Sequence, residues 1–195
     1  MNVFSKTTGF SASLLIVMIF FAGQVFAQDF KLDNSASQLT VFGTSNIHDW
    51  DVKAEKQSGN IVVDLSNKAQ VKQLNVTVVA ESLKSGKGSM DKNTYKALNT
   101  GKHKNISFVL KEVKSVSSIG SGNYKVSGYG NLTISGNTKR IPIDFTMNTS
   151  SSKIVLKGKK SIKMTDFGVE PPKALMGTIT TGDAVTIDFN TTFVK

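Results

Sequence analysis

There is no cysteine among the 195 residues, and there are only two histidines, three prolines and one tryptophan. Without thiols, a disulfide framework, a thiolate metal centre, a Cys nucleophile and a lipid-modified N-terminal cysteine are all excluded, so stability has to come from a packed core. His48 and His103 have no spacing that would set two ligands on one side of a helix or strand, which leaves a histidine metal site with little support. The chain has no G-x-S-x-G elbow. Gly86-x-Gly88 and Gly120-x-Gly122 do not stand between a strand and a long helix, and so read as turns rather than phosphate loops. Asp49 and Asp51 share a strand face, but Lys53 and Glu55 continue it as an ordinary solvated face. No catalytic residue, metal or cofactor is therefore assigned, and the expectation is a protein that is not an enzyme. His48 is the one plausible general base should that expectation fail.

Long apolar runs are equally scarce. The one present, Leu14–Phe21, follows Lys6 and leads to Val25-Phe26-Ala27, a small-residue cleavage signal. Residues 1–27 read as a signal peptide, too short in its apolar part for a membrane span of roughly 20 residues. Export to the periplasm is the expectation, with secretion beyond it the less favoured destination. Removing 27 of the 195 residues leaves 168, one domain's worth of chain over 28–195. The formal charge of +10 falls to +9 with the loss of Lys6. In an exported protein that excess does not point to nucleic acid. It suits solubility first, and attraction to an anionic membrane surface or a phosphate-bearing ligand second.

What the chain has in abundance is period-two alternation, the mark of strands buried on one face. Leu74, Val76, Val78 and Ala80 alternate with polar residues, and so do Ile106, Phe108 and Leu110. Tyr124, Val126, Leu132 and Ile134 repeat the pattern, followed by Ile141–Met147, Ile154–Met164 and Val185–Phe193. With the opening stretch, Leu39–Thr44 and Ile61–Leu65, eight or nine strands result. "SGNTK" at 135–139 marks a tight hairpin, with Gly136-Asn137 supplying positive φ, so neighbouring strands should be antiparallel. One-faced strands of about ten residues favour an all-β, closed antiparallel barrel of about eight strands over a sandwich. Three Tyr and one Trp are too few for the aromatic girdles of an outer-membrane barrel. The apolar faces are therefore expected to point inward.

Two segments break the alternation. In "GSMDKNTYKALNTGKHKN", Ser89 can cap one short helix that carries Met90, Tyr95, Ala97 and Leu98, with Gly101 beyond its end. In "TDFGVEPPKALMGTITTGD", Pro171-Pro172 forbids a strand interior, and Lys173–Met176 could form a helical turn closed by Gly177. Both are expected to cover one end of the barrel as a lid, with Tyr95, Leu98, Phe167, Leu175 and Met176 turned inward. From the walls, Val76, Val78, Phe108, Leu110, Val126, Phe145 and Met164 face the interior. Trp50 does too, in phase with Val52 and with His48, whose role is read as structural before headgroup contact. Gly128 and Gly130 share the inward phase and either leave space for a ligand or bend the sheet at a corner. Lys160 also falls in phase between Leu156 and Ile162. Either it aims an ammonium group into the interior, or a bulge at Gly158-Lys159-Lys160 turns it out.

Four stretches together resemble the YceI family: "GTSNIHDWD" at 43–51, "SMDKNTYKAL" at 89–98 with "ISFVL" at 106–110, "GYGNLTISGNTKRI" at 128–141, and "KMTDFGVEPPKALMGTITTGD" at 163–183. The chain is similar to the His-Asp-Trp branch, having Ser35-Ala36-Ser37 where many members begin with His-Ser, and Lys104 where many carry Pro. The resemblance implies a lipocalin-like barrel, exported, holding an isoprenoid-type lipid such as a quinone or polyprenyl phosphate, and it carries no established reaction. Its ligand contacts would be drawn from the inward and lid residues above, Lys160 included. An enzyme acting on a prenyl lipid or electron carrier, and a ligand-free barrel with a structural role, are the alternatives. The chain could also form a homodimer.

Overall fold

The computed structural model describes residues 27–66 and 68–195; the expected signal peptide, apart from Ala27, lies outside the described residues. The alternating segments become β1 (Gln28–Ser45), β2 (Trp50–Ala54), β3 (Gln57–Asp64), β4 (Gln70–Val79), β5 (Leu83–Lys84) and β6 (Asn105–Gly120). They continue as β7 (Asn123–Ile134), β8 (Asn137–Thr149), β9 (Lys153–Lys163), β10 (Lys173–Ala174) and β11 (Ile179–Val194). Eight of these close a ring in the order β1-β3-β4-β6-β7-β8-β9-β11 and back to β1, each pairing antiparallel. Closure gives every strand of the ring a partner on both sides, so none is a free edge strand. The expected all-β barrel is what forms, with three short strands added to it.

β1 is the longest strand because it serves two neighbours in turn. It pairs with β3 over Gln28–Lys31 and with β2 over Thr40–Gly43. Between them it bends where the Asp33 carboxylate accepts from the Ser35 and Ala36 amides. Asn34 then bridges the break between β2 and β3, donating to the Glu55 carbonyl at 2.9 Å and accepting from the Gln57 amide at 2.7 Å. β5 extends the sheet beside β2, and β10 pairs with the start of β11.

The hairpin at 135–139 forms, with one correction. Ser135 (φ 48°) and Gly136 (φ 78°) are the two left-handed turn residues, while Asn137 already pairs with Ile134 as the first residue of β8. The inward glycines of β7 leave no space. Opposite them β6 shifts register twice, and a β-carbon at Gly128 would lie 2.2 Å from the Glu112 carbonyl oxygen. One at Gly130 would lie 2.2 Å from the Phe108 ring. Of the two readings of these glycines, the bend and close approach prevail.

The single α-helix among the described residues, α1 (Gly88–Leu98), starts one residue before Ser89, and no side chain caps it. Asp91 does the fastening instead: its carboxylate accepts from the Ser85 amide at 2.8 Å and hydroxyl at 2.7 Å. The helix ends on Asn99 in the left-handed region (φ 50°) rather than on a glycine. Lys173–Met176 is not the right-handed helical turn expected: Lys173 and Ala174 form β10, and the turn that follows, Leu175–Gly177, closed by the Thr178 amide on the Leu175 carbonyl, has positive φ at all three residues.

The interior is divided along its length. At one end Phe30, Ile61, Val63, Val126, Met147, Ile154 and Phe193 are fully buried and fill the barrel. At the other, two smaller clusters line the walls. Leu132, Ile134, Phe167 and Val169 form one, and Val52, Val78 and Leu83 the other.

Candidate functional site

Between those two clusters lies a cavity of about 420 Å³, within the usual range of small-molecule sites. Aliphatic side chains on the inward phase of the strands make its walls: Leu39 and Val41 of β1, Val76 and Val78 of β4, Ile141 and Ile143 of β8, Ile187 of β11. Phe108, Phe145 and Leu156 form part of the wall toward the filled end. The lining reaches solvent where Ile47, His48, Lys87, Ser89 and Lys173 are exposed. Asn46 ties that rim together, donating to the Thr178 carbonyl and accepting from the Thr180 amide.

Trp50 lies across Gly43, where a β-carbon would come within 2.1 Å of the indole ring, and its Nε1 donates to the Thr44 carbonyl at 2.9 Å. Glycine is thus required at 43 for the indole to line the cavity. His48 is in the turn between β1 and β2 rather than on a strand, and is exposed; its Nδ1 lies 2.8 Å from the Asp49 carbonyl oxygen.

Two segments cover this end of the barrel, each fastened by a carboxylate. α1 presents Met90, Asn93, Thr94, Ala97 and Leu98 to the cavity, the spacing of one helix face. The Ser85 hydroxyl and then the Ser85 amide hold the Asp91 carboxyl below its ordinary range. The segment after β9 brings in Phe167 and Val169, both buried, with Pro172 and Ala174. Its start is pinned by Asp183, which accepts from the Thr165 hydroxyl at 2.7 Å and amide at 2.9 Å; these two bonds, in that order, lower the Asp183 carboxyl.

Of the residues expected to face a ligand, Trp50, Val76, Val78, Leu98, Phe108, Phe145, Lys160, Met164 and Phe167 meet around the cavity. Five do not. Val126 is fully buried in the filled end and Leu110 packs against the same cluster. Tyr95 is on another face of α1, its hydroxyl donating to the Glu81 carbonyl at 2.8 Å and accepting from Lys84 Nζ at 2.6 Å. Leu175 and Met176 point into solvent, because the left-handed turn reverses the chain before they reach the barrel. Asn93 and Thr94 were missed, and so was Leu39: polar helix residues carry no inward signal, and the bend in β1 interrupts the phase before 39.

Lys160 resolves in favour of the inward reading. β9 pairs with β11 without interruption from Lys153 to Lys163, so no bulge turns the side chain out. It is half-buried, lines the cavity, and has no hydrogen-bond or ion-pair partner among the described residues. Other polar groups on the strands of the wall are Ser45, Ser107, Thr181 and Thr191.

A closed antiparallel barrel, hollow and apolar at one end, defines the class of small lipocalin-like barrels. The YceI-like domain model matches residues 30–193, and the chain belongs to that family. No curated protein matches it by sequence. Among solved structures it is similar to Burkholderia cenocepacia BcnA, with TM-score 0.67 and 19% identity over 83% of this chain and 98% of that one. A polyisoprenoid binding domain from Saccharophagus degradans gives 0.66 and 14%, over 85% and 97% respectively. The Campylobacter jejuni YCEI protein gives 0.54 and 20%, over 72% and 82%.

Proposed function

We propose that this protein is a periplasmic carrier that holds the apolar chain of an isoprenoid-type lipid, a quinone or a polyprenyl phosphate, in the hollow end of its barrel. The carrying observation is the cavity itself, walled by aliphatic and aromatic side chains and covered by two fastened segments. Each methylene moved from water into such a space gains about 0.8 kcal/mol, so a chain of several isoprene units binds with few directed contacts. Family membership and the polyisoprenoid binding domain among the similar structures support the same ligand class. They favour binding over catalysis. At the rim Ile47, Leu175 and Met176 expose apolar side chains beside Lys87 and Lys173, which suits passing contact with an anionic bilayer during loading.

Native mass spectrometry with lipid extraction, on protein purified from the envelope of cells that export it, tests the reading. A co-purifying prenyl lipid is expected, together with a mature mass that begins at Gln28. Absence of any lipid, and failure of the delipidated protein to bind a prenyl alcohol or quinone, would overturn it. Turnover of the bound lipid would make the protein an enzyme instead.

A further inference from the structure

The barrel wall is not evenly closed. β7 and β8 pair along their whole shared length, and so do β9 and β11, whereas β8 and β9 pair only from Thr146 opposite Lys157 to Thr149 opposite Ile154. That ladder is about as short as those of β1 with β3 and β4 with β6, but it is the one that borders the cavity beside an outer cleft. Gly158 still lies against β8, since a β-carbon there would come within 2.9 Å of the Asp144 carbonyl oxygen. Beyond it no ladder joins Lys139–Ile143 to Lys159–Lys163. Further on, β8 is tied to the segment that follows β9, where the Asn137 side chain donates to the Phe167 carbonyl at 2.8 Å. The parted stretch is a window framed by two strands, a short ladder and that bond.

Outside the window is a cleft lined by Lys139, Arg140, Ile141, Lys160, Ser161, Ile162, Asp166 and Phe167. Four of these, Ile141, Lys160, Ile162 and Phe167, also line the interior cavity. Three of the shared residues are apolar and the fourth is the lysine without a protein partner among the described residues. Arg140 is engaged on the outer surface, paired with Glu112 and stacked 4.8 Å from the centroid of the Tyr129 ring. Lys139 and Lys160 are left facing one carboxylate, Asp166. A half-buried ammonium group in an apolar wall is costly unless water or an anion meets it, and the window is the place where either can.

We propose that the parted β8–β9 seam is a side opening of the barrel, at which a phosphate-type oxyanion on the end of the bound lipid meets Lys160, with Lys139 at the rim. This rests on the carrier reading for the apolar chain and adds where, and by what charge, the polar end is held. The rim at Ile47 and His48 would then pass the chain rather than hold the headgroup.

The test uses delipidated full-length mature protein and two probes, geranylgeranyl monophosphate and geranylgeraniol, with inorganic phosphate as a third. Trp50, the sole tryptophan, lines the cavity and reports binding by fluorescence. Lys160→Met should weaken the phosphate about tenfold or more relative to the alcohol, the weight of a charge-assisted bond, while Lys160→Arg restores most of that difference. Because the chain has no cysteine, Ser161→Cys at the window and Ile47→Cys at the rim can each be labelled alone. Protection of Ser161→Cys by the phosphate and not by the alcohol, lost in Lys160→Met, supports the window. Protection only of Ile47→Cys, or a phosphate affinity unaltered relative to the alcohol in a folded Lys160→Met, overturns it and leaves Lys160 reaching through the wall to water. If inorganic phosphate protects as well as the lipid does, the site takes a free oxyanion and its connection to the cavity falls. If neither lipid changes Trp50 fluorescence in the unmodified protein, the carrier reading fails, and the inorganic phosphate arm then decides the window separately.

Discussion

The same substitution made at the two ends of the barrel should have two different costs. Ile61 is fully buried in the filled end, opposite Phe30 on one side and Leu74 on the other. Ile187 has the same inward phase on β11 but is half-buried and lines the cavity. Truncating either to Ala removes three carbons. At Ile61 that forfeits about 2.4 kcal/mol of transfer free energy at ~0.8 kcal/mol per carbon. The unrelaxed void raises the loss to about 3–4 kcal/mol. At Ile187 roughly half the transfer free energy is at stake, and the void already exists, so about 1–1.5 kcal/mol is expected. Urea titrations with a common m-value measure both. In thermal melts the losses correspond to falls of about 6–16 °C and about 2–6 °C for a domain of this size. Affinity for a prenyl lipid should follow the opposite order, changed by Ile187→Ala and untouched by Ile61→Ala. Equal losses of stability at the two positions would refute a barrel divided into a filled and a hollow end.

Gly130→Ala places a methyl group against the Phe108 ring, so the ring must swing; a loss of about 1–3 kcal/mol by denaturant titration is expected, with weaker lipid binding because Phe108 lines the cavity. Asp91 and Asp183 have depressed carboxyl values in the folded protein, so each contributes stability that is complete above the ordinary carboxylate range and lost as the pH falls through the lower folded value. Hydrogen exchange in α1 and around Thr165 should therefore rise at acid pH, and Asp91→Asn should flatten that rise in α1 alone. Met176 is fully exposed with φ 56°, so Met176→Gly should leave stability unchanged or raise it by about 1 kcal/mol; a melt that falls instead would mean its side chain is held by a contact.

The wall residues were legible because strand phase is a local steric property: once Val76 faces inward, Val78 does too, and the same holds from Phe145 to Met147. The covers were not, because their faces are chosen by distant partners. Tyr95 is drawn off the cavity by the Glu81 carbonyl and Lys84, and the reversal at Leu175 and Met176 uses two residues with no preference for positive φ. Lys160 stood between two local readings until the unbroken register with β11, a relation to residues 184–194, decided it.

The parting of β8 and β9 is also non-local, and it bears on why the barrel is hollow where it is. Where these strands still pair, at Thr146–Thr149, the interior is filled by Met147, Ile154 and the rings of Phe30 and Phe193. Where they part, Phe167 lines both the cavity and the outer cleft with its carbonyl bonded by Asn137, and aliphatic side chains such as Ile141, Ile162 and Ile187 do not fill the interior. An unfilled apolar space forfeits the packing that closes ordinary cores. That forfeited packing is the free energy a long apolar chain would recover on entering, so the open seam and the space for such a chain have one structural cause.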